Sequence, residues 1–154
     1  MSEMNQSQFL LQNIKAAFRE ITGAPASLSA QEIRALSAQQ FQSIFNALKV
    51  QIKGSEYLPY EQGSIFIYNH LDNHPSLVAA DHFQITLDSH YISGLLYKYY
   101  KDPGIRVARH SLASESNHKV YYDRFDYIRV YSKNFIPDHL TKKEVKKENK
   151  KFYA

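Results

Sequence analysis

The sequence of 154 residues contains no cysteine and no tryptophan. Without cysteine the chain can form neither a disulfide nor a thiolate metal site, and a reducing compartment is permitted. No run of residues approaches the ~18 consecutive apolar residues of a membrane-spanning helix. The N-terminus also lacks the basic-then-apolar pattern of a secretion signal. These absences predict a cytoplasmic protein.

What the chain does contain is enough apolar material for a packed core, at 44% of its residues, including 12 Tyr and 9 Phe. The length is that of one ordinary domain. The net charge is +4, and six of the 19 basic residues are lysines within the last 13 positions. A basic balance favours anionic partners such as phosphate headgroups, phosphorylated substrates or nucleic acid, although here the excess is largely one local segment.

Residues 1–49 predict an N-terminal helical region. Apolar residues recur at helical spacing from Gln8 to Ile21. Capping-box patterns begin at Ser29, with Glu32 three residues on, and at Ser37. We expect two or three helices that pack on a sheet formed by the rest of the chain. The alternative is a first helix lying on a membrane surface, for which the chain offers few basic residues there.

Residues 50–154 predict strands alternating with helices, which favours an α/β fold with a mixed or parallel sheet and flanking helices. Strands are predicted at 50–53, 64–68, 85–92, 105–108, 121–124 and 127–131, and helices at 93–100 and after a third capping box that begins at Thr141. The predicted buried strand at 64–68 is followed directly by the polar run 69–75. Chemistry in an open α/β sheet lies just beyond the carboxyl ends of the strands.

Residues 50–154 resemble the glycerolipid acyltransferases, the family of lysophosphatidic acid and glycerol-3-phosphate acyltransferases. VQIKGSEYLP at 50–59 is similar to the family's entry strand and turn, and Asn69-His70 follows at the family's interval. The run 121–124, Tyr-Tyr-Asp-Arg, is similar to its second block. Two departures stand out. Pro75 occupies the place of the usual aspartate, and the Phe-Pro-Glu-Gly-Thr block is absent, so we expect an acyltransferase-like domain that is incomplete at its C-terminus.

The resemblance implies transfer of a fatty acyl group to a glycerol-phosphate or lysophospholipid hydroxyl. The donor would be acyl-CoA or acyl-carrier protein, with no bound cofactor. His70 would be the general base, since an imidazole suits that role near neutral pH. Asn69 is a candidate to orient it. Asp72 is the nearest replacement for the missing acid, and Asp81 and Asp88 are more distant options.

Arginine side chains are the candidates for binding the substrate phosphate, because a guanidinium fork fits phosphate oxygens. Arg124 in the Asp123-Arg124 block is the first choice, with help from Arg106 or Arg109. The alternative for Arg124 is an ordinary surface ion pair. Peripheral contact with the cytoplasmic face of a membrane and an oligomeric state are further expectations, and nucleic acid is not an expected partner.

Three other interpretations stay open. His70, Asp72 and His74 alternate, and an extended strand would place them on one face at a spacing that suits zinc in a metal-assisted hydrolase. His82 and His90 lie near them in the sequence. A basic, tyrosine-rich domain is also compatible with nucleic-acid binding. The last interpretation is an acyltransferase-like domain without catalysis.

Overall fold

The computed structural model describes residues 5–61, 63–70, 74–75, 77–132, 136–137 and 139–151. Within these residues there are five α-helices, namely α1 (Gln6–Gly23), α2 (Ala30–Ala47), α3 (Leu87–Tyr100), α4 (Ser116–Tyr122) and α5 (Lys142–Lys150). The four short strands are β1 (Val78–Ala80), β2 (Phe83–Gln84), β3 (Val107–Arg109) and β4 (Ile128–Val130). Two 3₁₀ turns lie at Ser55–Tyr57 and Asp123–Phe125.

The N-terminal helical region is confirmed as the two helices α1 and α2. Ser29 caps α2 as its sequence predicts: its hydroxyl accepts the Glu32 N–H, and the Glu32 carboxylate accepts the Ser29 N–H at 2.7 Å. This exchange satisfies two donors that the first turn leaves unpaired. The second capping-box pattern was a wrong indication, because Ser37 is buried inside α2 and begins no third helix.

One hydrophobic core joins α1 and α2 to the residues that follow them. Its fully or nearly buried members are Ile14, Ala17, Ile21, Ile33, Phe41, Ile44, Ala79, Phe83, Ile85, Tyr121, Tyr122, Phe125 and Tyr127. The apolar face of α1 is therefore buried in the core, where it contacts β1, α2 and α4. It is not available to a membrane surface. The division of the chain at residue 49 into two units stays a prediction.

Helix α3 occupies most of the stretch 85–92 that was predicted as a strand, and that prediction was wrong. The residues that α3 buries recur every three or four positions and include Ser89, Ser93 and Gly94, which is the spacing of one helix face. Gly94 lets α3 approach α2 closely. A methyl group at Gly94 would lie 3.3 Å from the carbonyl oxygen of Ala38. Packing between helices therefore overrides the local β preference.

The strands form two small sheets. β1 and β2 pair antiparallel, with Val78 opposite Gln84. β3 and β4 pair in parallel, with Ala108 opposite Arg129, which confirms the strands predicted near 105–108 and 127–131. Helices around two small sheets fit a broad α/β description.

Three further strand predictions were wrong. Residues 50–53 and 64–68 belong to no strand, and residues 121–124 end helix α4 and enter the following 3₁₀ turn. The segment 64–68 contacts α3, since the Phe66 and Tyr100 ring centroids lie 6.3 Å apart. Its alternate side chains face solvent, with Ile65 89% exposed. No described strand pairs with it, so it does not become the buried strand that its composition predicted.

The lysine-rich helix predicted from Thr141 is confirmed as α5. Thr141 and Glu144 exchange the two capping-box hydrogen bonds, and Val145 is the residue that α5 buries. Phe152, which was also placed on this helix, lies outside the described residues. No helix in the described part of the chain is long and apolar enough to cross a membrane.

Candidate active-site cavity

A cavity of about 600 Å³ opens where Tyr68 and His70 meet the β1–β2 turn, β3 and α4. Its wall is rich in groups that carry charge or protons. These are Tyr68, His70, Asp81, His82, Arg106, Arg109, Glu115, His118, Tyr122 and Tyr127. The cavity is thus large enough for part of a small-molecule substrate. It collects four of the candidate acyltransferase-site residues named from the sequence: His70, Asp81, Arg106 and Arg109.

His70 is paired with a carboxylate, but not with the one that lies nearest in the sequence. Its Nδ1 contacts Oδ2 of Asp88, the second residue of α3. The His70 side chain is 62% exposed and the Asp88 side chain only 8% exposed. An imidazole whose Nδ1–H is held by a carboxylate keeps the lone pair of Nε2 available as a base.

Asp88 is itself fixed in place by the start of α3. Its Oδ1 accepts the backbone N–H of Ser89 at 2.6 Å. The Ser89 hydroxyl in turn accepts the Tyr68 hydroxyl proton at 3.0 Å. A carboxylate in the first turn of a helix also gains from the positive end of the helix dipole. The segment that carries Tyr68 and His70 is therefore attached to α3 at two neighbouring residues, Asp88 and Ser89.

The other predicted catalytic residues have different placements. Asn69 lies at the surface beside His70. Asp72 is outside the described residues. Asp81 lines the cavity from the β1–β2 turn. Among the described residues, the acid that contacts the imidazole is Asp88, which was one of the more distant options in the sequence.

Arg106 is the cavity cation with no described carboxylate in ion-pair range. Its Nε and Nη2 donate to the Ser93 hydroxyl at 3.1 and 3.0 Å. Its guanidinium carbon lies 5.2 Å from the centre of the Tyr127 ring, which is a cation–π contact. The arginine is thus held firmly against α3 and Tyr127, and its Nη1 has no hydrogen-bond partner among the described residues.

The charge of Arg109 is neutralised by Glu115. Its Nη1 and Nη2 donate to the two carboxylate oxygens of Glu115 at 2.8 and 2.5 Å. The hydrogen bond from Arg109 lowers the pKa of Glu115 to about 2. A fork-to-fork pair of this kind leaves Arg109 less free than Arg106 to bind a substrate anion.

Arg124 and Asp123 lie away from the cavity wall. Arg124 donates to the carbonyl oxygens of Ala24 and Pro25 at 3.0 and 2.9 Å. These carbonyls follow α1, so the arginine ties the α1–α2 loop to the turn after α4. Asp123 contacts Lys119 and accepts from Arg129 at 3.4 Å. The structure therefore does not bring Arg124 together with Arg106 and Arg109, as a shared phosphate site would require.

His118 is a cavity residue that sequence reasoning missed. Its Nδ1 shares a hydrogen bond of 2.8 Å with the Ser111 hydroxyl. The centre of its ring lies 4.5 Å from the centre of the Tyr122 ring. Burial lowers the pKa of His118 below 6.5, so that the ring is neutral near pH 7. A loop rich in serine before a histidine was the only local signal, and it does not reveal that α4 faces the cavity.

His90 has a structural role instead. It is 1% exposed. Its Nδ1–H donates to the Thr86 carbonyl oxygen at 2.8 Å, and its Nε2 accepts the Tyr121 hydroxyl proton at 2.9 Å. Burial lowers its pKa well below 6.5, and the neutral ring joins α3 to α4 within the core.

The described residues contain no group of three or more histidine and carboxylate side chains placed to hold a metal ion. The zinc interpretation rests on Asp72, which lies outside those residues. No protein-family model, curated protein or solved structure matches this chain.

Proposed function

We propose that the cavity is the active site of an acyltransferase. A fatty acyl group would move from acyl-CoA or acyl-carrier protein to the hydroxyl of a glycerol phosphate or lysophospholipid. The observation that carries this proposal is the contact of the His70 imidazole with the nearly buried Asp88 carboxylate at the cavity wall. The resemblance of residues 50–154 to glycerolipid acyltransferases supplies the substrate class.

In the proposed reaction a single base, His70, both takes up and gives back the transferred proton. Nε2 of His70 takes the proton of the acceptor hydroxyl while the oxygen attacks the thioester carbonyl carbon. The tetrahedral intermediate then collapses, the carbon–sulfur bond breaks, and the thiolate takes the proton from the imidazolium. Asp88 holds Nδ1–H throughout and stabilises the imidazolium that forms in between.

A phosphate on the substrate needs a cation within the same cavity. Arg106 meets this need because its charge is not matched by a described carboxylate, whereas Arg109 is bound to Glu115. A guanidinium held by Ser93 and Tyr127 is also preorganised, so less rotamer freedom is lost on binding. Arg106 thus replaces Arg124 as the phosphate-binding candidate in this proposal.

The mixed or parallel sheet with flanking helices that the sequence predicts, and a location at the cytoplasmic face of a membrane, belong to the same proposal. The parallel β3–β4 pair is compatible with such a sheet. The competing proposal is an acyltransferase-like domain that binds without catalysis, and the experiment below distinguishes the two.

The test is release of free CoA from a long-chain acyl-CoA, with glycerol 3-phosphate or a lysophospholipid as acceptor. We expect acceptor-dependent release by the wild type and a loss of about 10²–10⁴-fold in kcat for His70→Ala, which removes the base. Asp88→Asn should also lower kcat, because the amide no longer holds the Nδ1–H tautomer. Arg106→Gln should raise KM for the phosphorylated acceptor.

His139→Gln is the matched control, because His139 is exposed and does not line the cavity. It should keep the wild-type rate. Full activity in folded His70→Ala would remove the mechanism. Saturable acceptor binding without any CoA release would establish the non-catalytic alternative.

A further inference from the structure

The net positive charge of the chain lies in a single segment at its C-terminal end. Residues 142–151 hold six of the 19 basic residues and two of the 15 acidic ones. The remainder of the chain therefore carries 13 charges of each sign and is neutral. A charge excess concentrated in this way acts as a local surface rather than as a property of the whole molecule.

The helix arranges these charges on one side. At about 100° per residue, the six lysines fall within about half of the helix circumference. They are all exposed, and they are Lys142, Lys143, Lys146, Lys147, Lys150 and Lys151. Lys151 is bound to Glu148 at 2.7 Å. No described carboxylate is in ion-pair range of the other five, which we call the α5 lysine face.

The opposite side of α5 fixes the helix to the domain. Val145 is buried. The Asn149 side chain accepts the Tyr131 N–H and donates to the Tyr131 carbonyl oxygen, both at 2.9 Å. Tyr131 directly follows β4, which pairs with β3, a strand that lines the cavity. The lysine face is thus presented outward from an element coupled to the candidate site.

We propose that the α5 lysine face docks the protein onto an anionic lipid surface. The inference does not depend on the proposed acyl transfer, since docking requires no chemistry. The complementary partner of five unpaired positive charges along about 13 Å of helix is an extended negative surface. A membrane containing anionic headgroups presents such a surface and attracts each lysine near it.

The composition of the face favours lipid over nucleic acid. It carries no arginine for bidentate phosphate contacts and no aromatic side chain for stacking on bases. Lysine ammonium groups are point charges that suit headgroups free to move laterally. Helix α1 is the less suitable element, because its apolar face is buried in the core.

The test is co-sedimentation of the full chain with phosphatidylcholine vesicles, with and without phosphatidylglycerol. We expect binding to the vesicles that contain phosphatidylglycerol and little to those of phosphatidylcholine alone. Each lysine near the surface is worth about a fivefold change in partition. The double variant Lys143→Gln/Lys147→Gln should therefore bind about 25-fold more weakly. Raising the salt concentration should weaken the wild type, because it shortens the Debye length.

The matched control is Lys15→Gln/Lys98→Gln, which removes the same charge from exposed positions on α1 and α3. It should bind as the wild type does, and far-UV circular dichroism should show all forms folded. An equal loss in the control, or equal binding to both kinds of vesicle, would overturn the assignment. Tighter α5-dependent binding to a single-stranded oligonucleotide than to vesicles would also overturn it, in favour of nucleic acid. Docking by a protein that releases no CoA would leave this inference standing alone.

Discussion

Burial of a neutral histidine makes the stability of this fold depend on pH. His90 is 1% exposed and bound at both ring nitrogens. Burial, helped by the positive charge of Arg106, lowers its pKa well below 6.5. Protonation is therefore favoured in the unfolded chain, and the stability that neutral His90 confers is lost as the pH falls below about 6.5.

The size of this change in the free energy of unfolding follows from how far the imidazole is protonated in the unfolded chain. A free imidazole with a pKa near 6.5 is about one quarter protonated at pH 7 and almost fully protonated at pH 5. If the folded His90 stays neutral, the free energy of unfolding falls by about 2 kcal/mol over this range. Burial also lowers the pKa of His110 and of His118, so their contributions have the same sign.

Urea denaturation at about pH 7 and about pH 5 measures this difference for the wild type and for His90→Gln. The variant should be less stable at pH 7, because Tyr121 and Thr86 lose well-placed partners. Its loss on acidification should be smaller than that of the wild type by about 2 kcal/mol. His139→Gln, at an exposed position, should keep the wild-type difference. An undiminished loss in His90→Gln would refute the reasoning.

Two further substitutions test the packing around the site. Arg124→Ala removes both hydrogen bonds to the α1–α2 loop and should lower the free energy of unfolding by about 1–3 kcal/mol in urea, with CoA release per folded molecule unchanged. A higher KM at unchanged stability would instead place Arg124 at the substrate. Gly94→Ala would press a methyl group to 3.3 Å from the Ala38 carbonyl oxygen and should cost about 1–3 kcal/mol. Unaltered stability in the same assay would show that α2 and α3 separate without cost.

Local signals predicted elements well where a side chain bonds to its own helix end. Ser29 and Thr141 precede helices, and each hydroxyl accepts the backbone N–H three residues later. A contact between residues this close together can be predicted from the sequence. Ser37 matches the same pattern and begins nothing. Ser37 lies in the middle of α2, so the backbone N–H groups around it already bond within the helix and need no cap.

The candidate site was only half predictable. The local pattern and the family resemblance singled out His70, and the structure places it on the cavity. Its partner was not predictable by proximity, since Asp88 is 18 residues away and lies at the start of a helix where the sequence predicted a strand. Arg124 shows the reverse case. It was the first candidate for binding the substrate phosphate, but in the structure it holds the α1–α2 loop.

The sequence by itself determined the capped helices, the absence of cysteine chemistry and the concentration of positive charge in residues 142–151, because these depend on composition or on neighbours a few positions apart. Tertiary structure alone decided that residues 87–92 belong to the helix predicted at 93–100, that residues 64–68 form no strand, and that Asp88 meets His70. Those outcomes depend on contacts between α2, α3 and distant segments. Free energy gained in such contacts is comparable to or larger than local propensity.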